Sequence, residues 1–402
     1  MVDFVRRNCR EVIPSISQNL IQSFFRLMDC SFVNYIDTEI LIITPSDIQR
    51  LEDIFPNLFV FCLVWSLGAT CDWDGRGKFN EQLKVALSKK GLQLLPNFYD
   101  YYYNEKAKEW QAWTSLSAGF EIAPNMDYHE VIVPTADSQR ATFLSRLLLT
   151  NNFHVLVSGP TGTGKTINAS QLLTYGMSET YQYIPITFSA QTSANQTQDS
   201  IDSKLDKIKR GVFGAPVGKK YIVFVDDLNM PKKEEYGAQP PIELLRQFMD
   251  HHGWYNRRDQ QFMRIENILI LTALGPPGGG RTTITPRLIR HFNMMNNNEL
   301  DAKTIGHIFA TISKHFLKRF PEEIVEMLAA LVSAVISVYD EIKASLLPTP
   351  TKSHYTFNLR DISKVFQGIC AASSKYTTTR TTFFRLWTHE LERVFGDRLT
   401  CG

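Results

Sequence analysis

The chain has 402 residues, 44% of them hydrophobic and 21% charged, and its 43 basic and 41 acidic residues leave a formal net charge of +2. That balance fits a globular chain of two or three domains and excludes the strong positive field expected of a nucleic-acid or anionic-membrane binder. The six cysteines are scattered, without a C-x-x-C pair or a histidine at zinc-ligand spacing, and read as free thiols of a reducing compartment. The N-terminus "MVDFVRRNCREV" has no apolar signal core, which argues against secretion.

Residues 1 to about 90 carry apolar positions at helical spacing and predict a mostly helical region. Its longest apolar stretch, residues 58 to 69, is shorter than the roughly 20 residues a membrane helix needs and reads as a buried helix. Residues 91 to 130 are aromatic-rich and without period, as in a connector lying against something, with Tyr99 to Tyr103 read as core or interface. From 131 onward, β-branched runs alternate with helical patterns, which predicts an α/β fold with a parallel sheet. Five strands are expected, at 154–158, 183–190, 221–225, 267–274 and 291–295, apolar enough to be covered on both faces. The basic run at 203–220 reads as a solvated loop or neighbour contact, and His251 and His252 as a helix cap. After 300 the pattern is helical. Pro321 starts a helix with two glutamates in its first turn and Ile324, Leu328, Leu331, Val335, Tyr339 and Ile342 along one side. Pro348 and Pro350 end it.

The stretch "SGPTGTGKT", between the first expected strand and a helix-capable segment, satisfies G-x-x-x-x-G-K-[ST] from Gly159 to Thr166. Gly159, Pro160, Thr161, Gly162, Thr163 and Gly164 form a loop whose backbone N–H groups can close around phosphate oxygens, and Lys165 can reach the β- and γ-phosphates. Thr166 would place its hydroxyl on Mg²⁺. The second anchor such a metal needs is an aspartate at the end of a buried strand, and "YIVFVDD" supplies Asp226. Asp227, next along, is a candidate water-activating base one methylene shorter than glutamate. The bland reading, in which two aspartates cap the next turn, is stronger for Asp227 than for Asp226.

The segments "SGPTGTGKT", "FSAQTSANQTQ", "RGVFGAPVGKK", "FVDDLNMP", "YGAQPPIELLRQF", "GPPGGGRTTITPRLIRHFN" and "LPTPTKSHYTFNLRDISKV" together resemble the third AAA module of axonemal dynein heavy chains, within the AAA+ P-loop ATPases. The resemblance covers at least residues 131 to 395. It implies an AAA+ α/β nucleotide-binding domain at 131–300 and a small helical lid at 301–402. Residues 1–90, with "VWSLGATCDWDGRGKF", resemble the end of the preceding module's lid, and 91–130 would connect the two.

By the same resemblance, Val133 and Pro134 become candidate adenine contacts. Arg287 or Arg290 looks like the arginine presented to a neighbouring module's γ-phosphate, and Arg360 like the lid arginine that pairs with this module's own. ATP or ADP with Mg²⁺ would be the cofactors. Neighbouring AAA modules would be the direct partners, with dynein intermediate and light chains in the same assembly and microtubules reached indirectly. The implied location is the cytoskeleton of a cilium or flagellar axoneme. Two departures from the family pattern stand out. The acidic base is Asp227, and Leu274 and Gly275 occupy the place where AAA+ proteins carry a polar, water-orienting residue; Thr272 could substitute only in part. A misplaced water costs on the order of 10²-fold in rate, so binding should outlast turnover. Slow, regulatory ATP hydrolysis is therefore expected, with a ring segment that holds nucleotide without turnover as the alternative. A free-standing phosphotransferase fits less well, given the paired lids and the cross-boundary arginine segment.

Overall fold

The computed structural model describes residues 1–33 and 45–400. Two compact units make up the chain. The first comprises residues 1–116, 136–160 and 164–298, and the second 117–135, 161–163 and 299–402.

The first unit opens with four helices, α1 (Val2–Asn8), α2 (Ser17–Phe32), α3 (Pro45–Leu67) and α4 (Trp73–Ser88). Asp72 caps α4 by accepting the Gly75 N–H at 2.8 Å, satisfying one of the donors a helix start leaves free. As expected from the sequence, the apolar run at 58–69 is buried helix over most of its length. The aromatic stretch that follows is more ordered than its lack of period suggests. Strands β1 (Tyr101–Asn104) and β2 (Glu109–Ala112) form an antiparallel hairpin. Tyr99, Tyr102, Tyr103 and Trp113 are buried, with Trp65 edge-on to Tyr99 and Trp113 at centroid distances of 5.5 and 6.1 Å. Strands of four residues, one of them with three consecutive tyrosines, are too short to display an alternation, so the hairpin left no periodic signal in the sequence.

Arg76 on α4 joins these helices to the rest of the unit. Its guanidinium is buried over the faces of Trp65 and Tyr99 and donates to the carbonyl oxygens of Asn296 at 2.5 Å and Ala69 at 3.4 Å. Burial lowers its pKa to about 10, which leaves it charged at neutral pH.

The α/β part runs α5 (Ala136–Thr150), β3 (Val155–Ser158), α6 (Lys165–Gln171), β4 (Tyr181–Thr187), α7 (Ala194–Asp202), β5 (Asp206–Lys209), β6 (Val212–Gly214), β7 (Lys220–Asp226), α8 (Pro240–His251), β8 (Gly253–Tyr255), β9 (Phe262–Glu266), β10 (Ile268–Leu274), α9 (Pro286–Ile289) and β11 (Asn293–Asn296). All five expected strands form one parallel sheet in the order β11-β3-β10-β7-β4. Side chains alternate between two apolar layers, as the pleat requires. Leu269, Leu271 and Ala273 share a core with Ile222, Phe224, Leu148 and Ala169. Ile268, Ile270 and Leu274 share the other with Val223, Val225, Ile242 and Phe248.

A second sheet, ordered β5-β6-β9-β8, was not foreseen. The basic run at 203–220 is solvated as expected, but it forms the β5–β6 hairpin in place of a loop, with β5 exposed throughout. His252 ends α8 in a left-handed conformation, φ +55°, with its N–H on the Phe248 carbonyl, as the capping expectation required.

The second unit holds α10 (Ala302–Phe316), α11 (Glu322–Ser345), α12 (Leu359–Cys370) and α13 (Arg380–Val394). Pro321 precedes α11, and the stripe Ile324, Leu328, Leu331, Val335 and Tyr339 is buried, with Ile342 half-buried beside it. Phe309 and Phe366 stack at 4.6 Å in the same core. Asn358 caps α12 through a reciprocal box with Asp361.

Candidate functional site

In the first unit, the site gathers at the C-terminal edge of the five-stranded sheet. β3 ends at Ser158, and Gly159 turns the chain at φ +149°. Gly164 begins α6 in the left-handed region at φ +74°, where a residue with a Cβ would be strained. Lys165 opens the helix and folds its Nζ back onto the carbonyl oxygens of Gly159 and Pro160, at 2.7 and 2.6 Å. One residue on, Thr166 Oγ1 donates to Asp226 Oδ2 at 2.8 Å.

The strand order explains why these two meet. β10 lies between β3 and β7, so the loop after β3 and Asp226 at the end of β7 flank the end of β10. Asp226 follows Val225 and takes the sheet face of Phe224 and Ile222, the face covered by α5 and α6. A hydroxyl and a carboxylate oxygen so placed fit an octahedral Mg²⁺ that keeps most of its ligands as water and phosphate. No group of three His, Cys, Asp or Glu side chains suited to a metal gathers among the described residues.

Beside these two anchors, the last β10 residue on the Asp226 face is Ala273, which carries no polar group. Leu274 is buried in the opposite apolar layer. Thr272 has the same parity on β10, so its hydroxyl faces away from Asp226, fully buried and without a partner among the described residues. It cannot act as even a partial substitute for a water-orienting group. Asp227 adopts φ +51° and its Oδ1 accepts from Arg281 Nη2 at 3.1 Å. Sequence reasoning passed over Arg281; its only signal was an arginine directly after the glycine run "GPPGGG".

Within the second unit, Thr161, Gly162 and Thr163 line a cavity of about 140 Å³ with Tyr339, Asp340 and Phe357. Gly162, at φ +88°, lies so near Asn358 and Leu359 that a Cβ would come within 3.3 Å of both. Val133 is buried in this unit's core and Pro134 is half-buried.

A profile described as the P-loop containing dynein motor region matches residues 120–300. The dynein heavy chain AAA lid domain matches 1–115, and the dynein heavy chain ATPase lid domain 312–402. Over 99% of its length the chain is 44% identical to dynein axonemal heavy chain 1 of Homo sapiens, of which it covers 10%. The chain belongs to the axonemal dynein heavy chains. Dynein axonemal heavy chain 3 of Mus musculus is 39% identical over 99% of this chain, and dynein axonemal heavy chain 12 of Homo sapiens 42% over 85%. The chain thus spans about a tenth of the length of these relatives.

The remaining arginines of this dynein segment separate by their surroundings. Arg290 is engaged by Asp250, which also holds Arg246 at 2.6 Å and His291 at 2.9 Å. Arg287, on the exposed side of α9, has no ion pair among the described residues. Arg360 on α12 is exposed; its backbone N–H serves the Asn358 cap while its guanidinium makes no ion pair among the described residues.

Proposed function

We propose that this dynein AAA module binds ATP with Mg²⁺ and hydrolyses it slowly, so that nucleotide state sets the disposition of its lid. The observation that carries this reading is the 2.8 Å contact between Thr166 and Asp226 beside the Lys165 loop, which brings both expected metal anchors together. Gly159 to Lys165 would hold the phosphates, and Thr166 and Asp226 the Mg²⁺, which when bound neutralises charge on the phosphate oxygens. Val133 and Pro134 would meet the adenine. Arg360, its guanidinium exposed, would meet the γ-phosphate and carry its loss to the lid. For the neighbouring module's site Arg287 is the better candidate, because Arg290 would first have to leave Asp250. Adjacent AAA modules of the dynein ring are the direct partners in this reading; other dynein subunits, the microtubule and the axoneme are reached through the remainder of a heavy chain.

The competing reading, a ring segment that retains nucleotide as part of its fold, draws on Asp227 being engaged by Arg281 and on Ala273, not a polar residue, taking the Asp226 face at the end of β10. Single-turnover hydrolysis by the wild type, Asp227→Asn and Asp227→Glu separates the two. Slow turnover that falls further in Asp227→Asn and rises in Asp227→Glu is expected; a wild type as inert as Asp227→Asn, with nucleotide bound, favours the structural role. Lys165→Ala should abolish nucleotide binding, and unchanged affinity would refute the phosphate-loop assignment.

A further inference from the structure

Arg281 reaches Asp227 through a space that exists only because residue 275 is glycine. A Cβ built on Gly275 would lie 2.7 Å from Arg281 Nε and 2.8 Å from its Cδ, well inside van der Waals contact. The backbone on both sides of the arginine is fixed. Asn229, itself buried, donates from Nδ2 to the carbonyl oxygens of Gly275 at 2.8 Å and Thr282 at 3.2 Å, and accepts the Thr282 N–H at 2.9 Å. Gly278 and Arg281 exchange two backbone hydrogen bonds of 3.0 Å, closing the turn that aims the side chain. Arg281 Nε is buried with no hydrogen-bond partner among the described residues, so the guanidinium's one ion pair there is the contact to Asp227.

We propose that Arg281 is a positioning residue for Asp227: it occupies the space beside Gly275 and holds the carboxylate back from the proton of the attacking water. This rests on the reading of Asp227 as the base. In that reaction water adds to the γ-phosphorus as the bond to the β-phosphate oxygen breaks, Asp227 takes the water's proton, and ADP and phosphate leave. A carboxylate held through Oδ1 by a guanidinium is less free to rotate, so the pair must loosen before the carboxyl group turns to the water. Three features of the sequence that look independent, Asp227, Gly275 and Arg281, thereby become one device.

The test compares single-turnover ATP hydrolysis and nucleotide affinity in the wild type, Arg281→Met, Arg281→Lys, Gly275→Ala and the double variant Arg281→Met/Asp227→Asn. Arg281→Met should raise the rate about tenfold, equivalent to about 1.4 kcal/mol, with affinity unchanged. Gly275→Ala, which displaces the guanidinium without removing it, should raise the rate in the same direction. Arg281→Lys should stay near wild type, and the double variant should lose the gain. A rate in both Arg281→Met and Gly275→Ala at or below wild type overturns the proposal, whatever the wild-type rate. A wild type as inert as Asp227→Asn alongside a faster Arg281→Met would instead overturn slow hydrolysis and uphold the role of Arg281.

Discussion

The Thr272 hydroxyl sits in the middle of β10 with no exposed surface and no partner among the described residues. A buried, unpaired hydroxyl costs about 1–3 kcal/mol relative to one that is solvated or bonded. Valine matches its branched shape and suits a strand, so Thr272→Val should raise the unfolding free energy by about 1 kcal/mol in urea titration. Because the hydroxyl faces the layer of Ile270 and Leu274, away from Asp226, the same variant should leave nucleotide affinity and turnover unchanged. A loss of turnover would restore Thr272 to the site; a loss of stability would mean the hydroxyl has a partner. Residues whose placement is set by near neighbours in sequence were legible from the start: Gly164 at the start of α6, Lys165 and Thr166 in its first turn, and Asp226 at the end of an apolar strand. Arg281 was not, because its partner is 54 residues away and the gap it passes through is the missing side chain of a third residue.

His154 shows how one side chain can tie several elements together. Its backbone oxygen accepts the Asn293 N–H at 2.9 Å, and its Nδ1 accepts the Ile270 N–H at 3.0 Å, so the residue before β3 is bonded to β11 and β10. The residue keeps some exposed surface, but its ring lies between Phe248 and Phe292. Burial, reinforced by the positive charges of His291, Arg26 and His252, pushes its pKa down to about 3. A protonated ring could not accept the Ile270 N–H at all. Above the unfolded value of about 6.5 both states are neutral and the contribution to stability is complete. As pH falls from there towards 3, the unfolded chain takes up the proton first and that stability is lost, at up to about 1.4 kcal/mol per pH unit. Between pH 6.5 and 5 the wild type should therefore lose about 1.5 kcal/mol more than His154→Asn, read from denaturant titrations at each pH; parallel losses would show that the histidine titrates normally when folded. Strand placement at this level was visible in the sequence because fully covered parallel strands are continuous apolar runs. The second sheet was not, since β6 and β8 have only three residues each and β5 is wholly exposed.

At the scale of the whole molecule, α2 and α3 carry exposed aromatic side chains. Phe25 is 60% exposed and Phe55 45%, and both belong to a run of aromatic contacts that also includes Phe24, Phe32 and Phe59. Ile21 and Ile48 widen the patch at 42% and 46% exposed. A surface of this kind is unusual on a protein that works alone and marks a site of association. The 402-residue chain should self-associate in a concentration-dependent way. Replacing Phe25 and Phe55 together by serine should shift sedimentation towards the monomer. Both residues are about half exposed and meet the core only through ring contacts with Phe24, Phe32 and Phe59, so stability should fall by about 1–2 kcal/mol and nucleotide affinity should not move. Sedimentation unchanged by the double substitution would assign the association to another surface; a chain monomeric from the outset would mean that the exposed aromatics are tolerated without a partner.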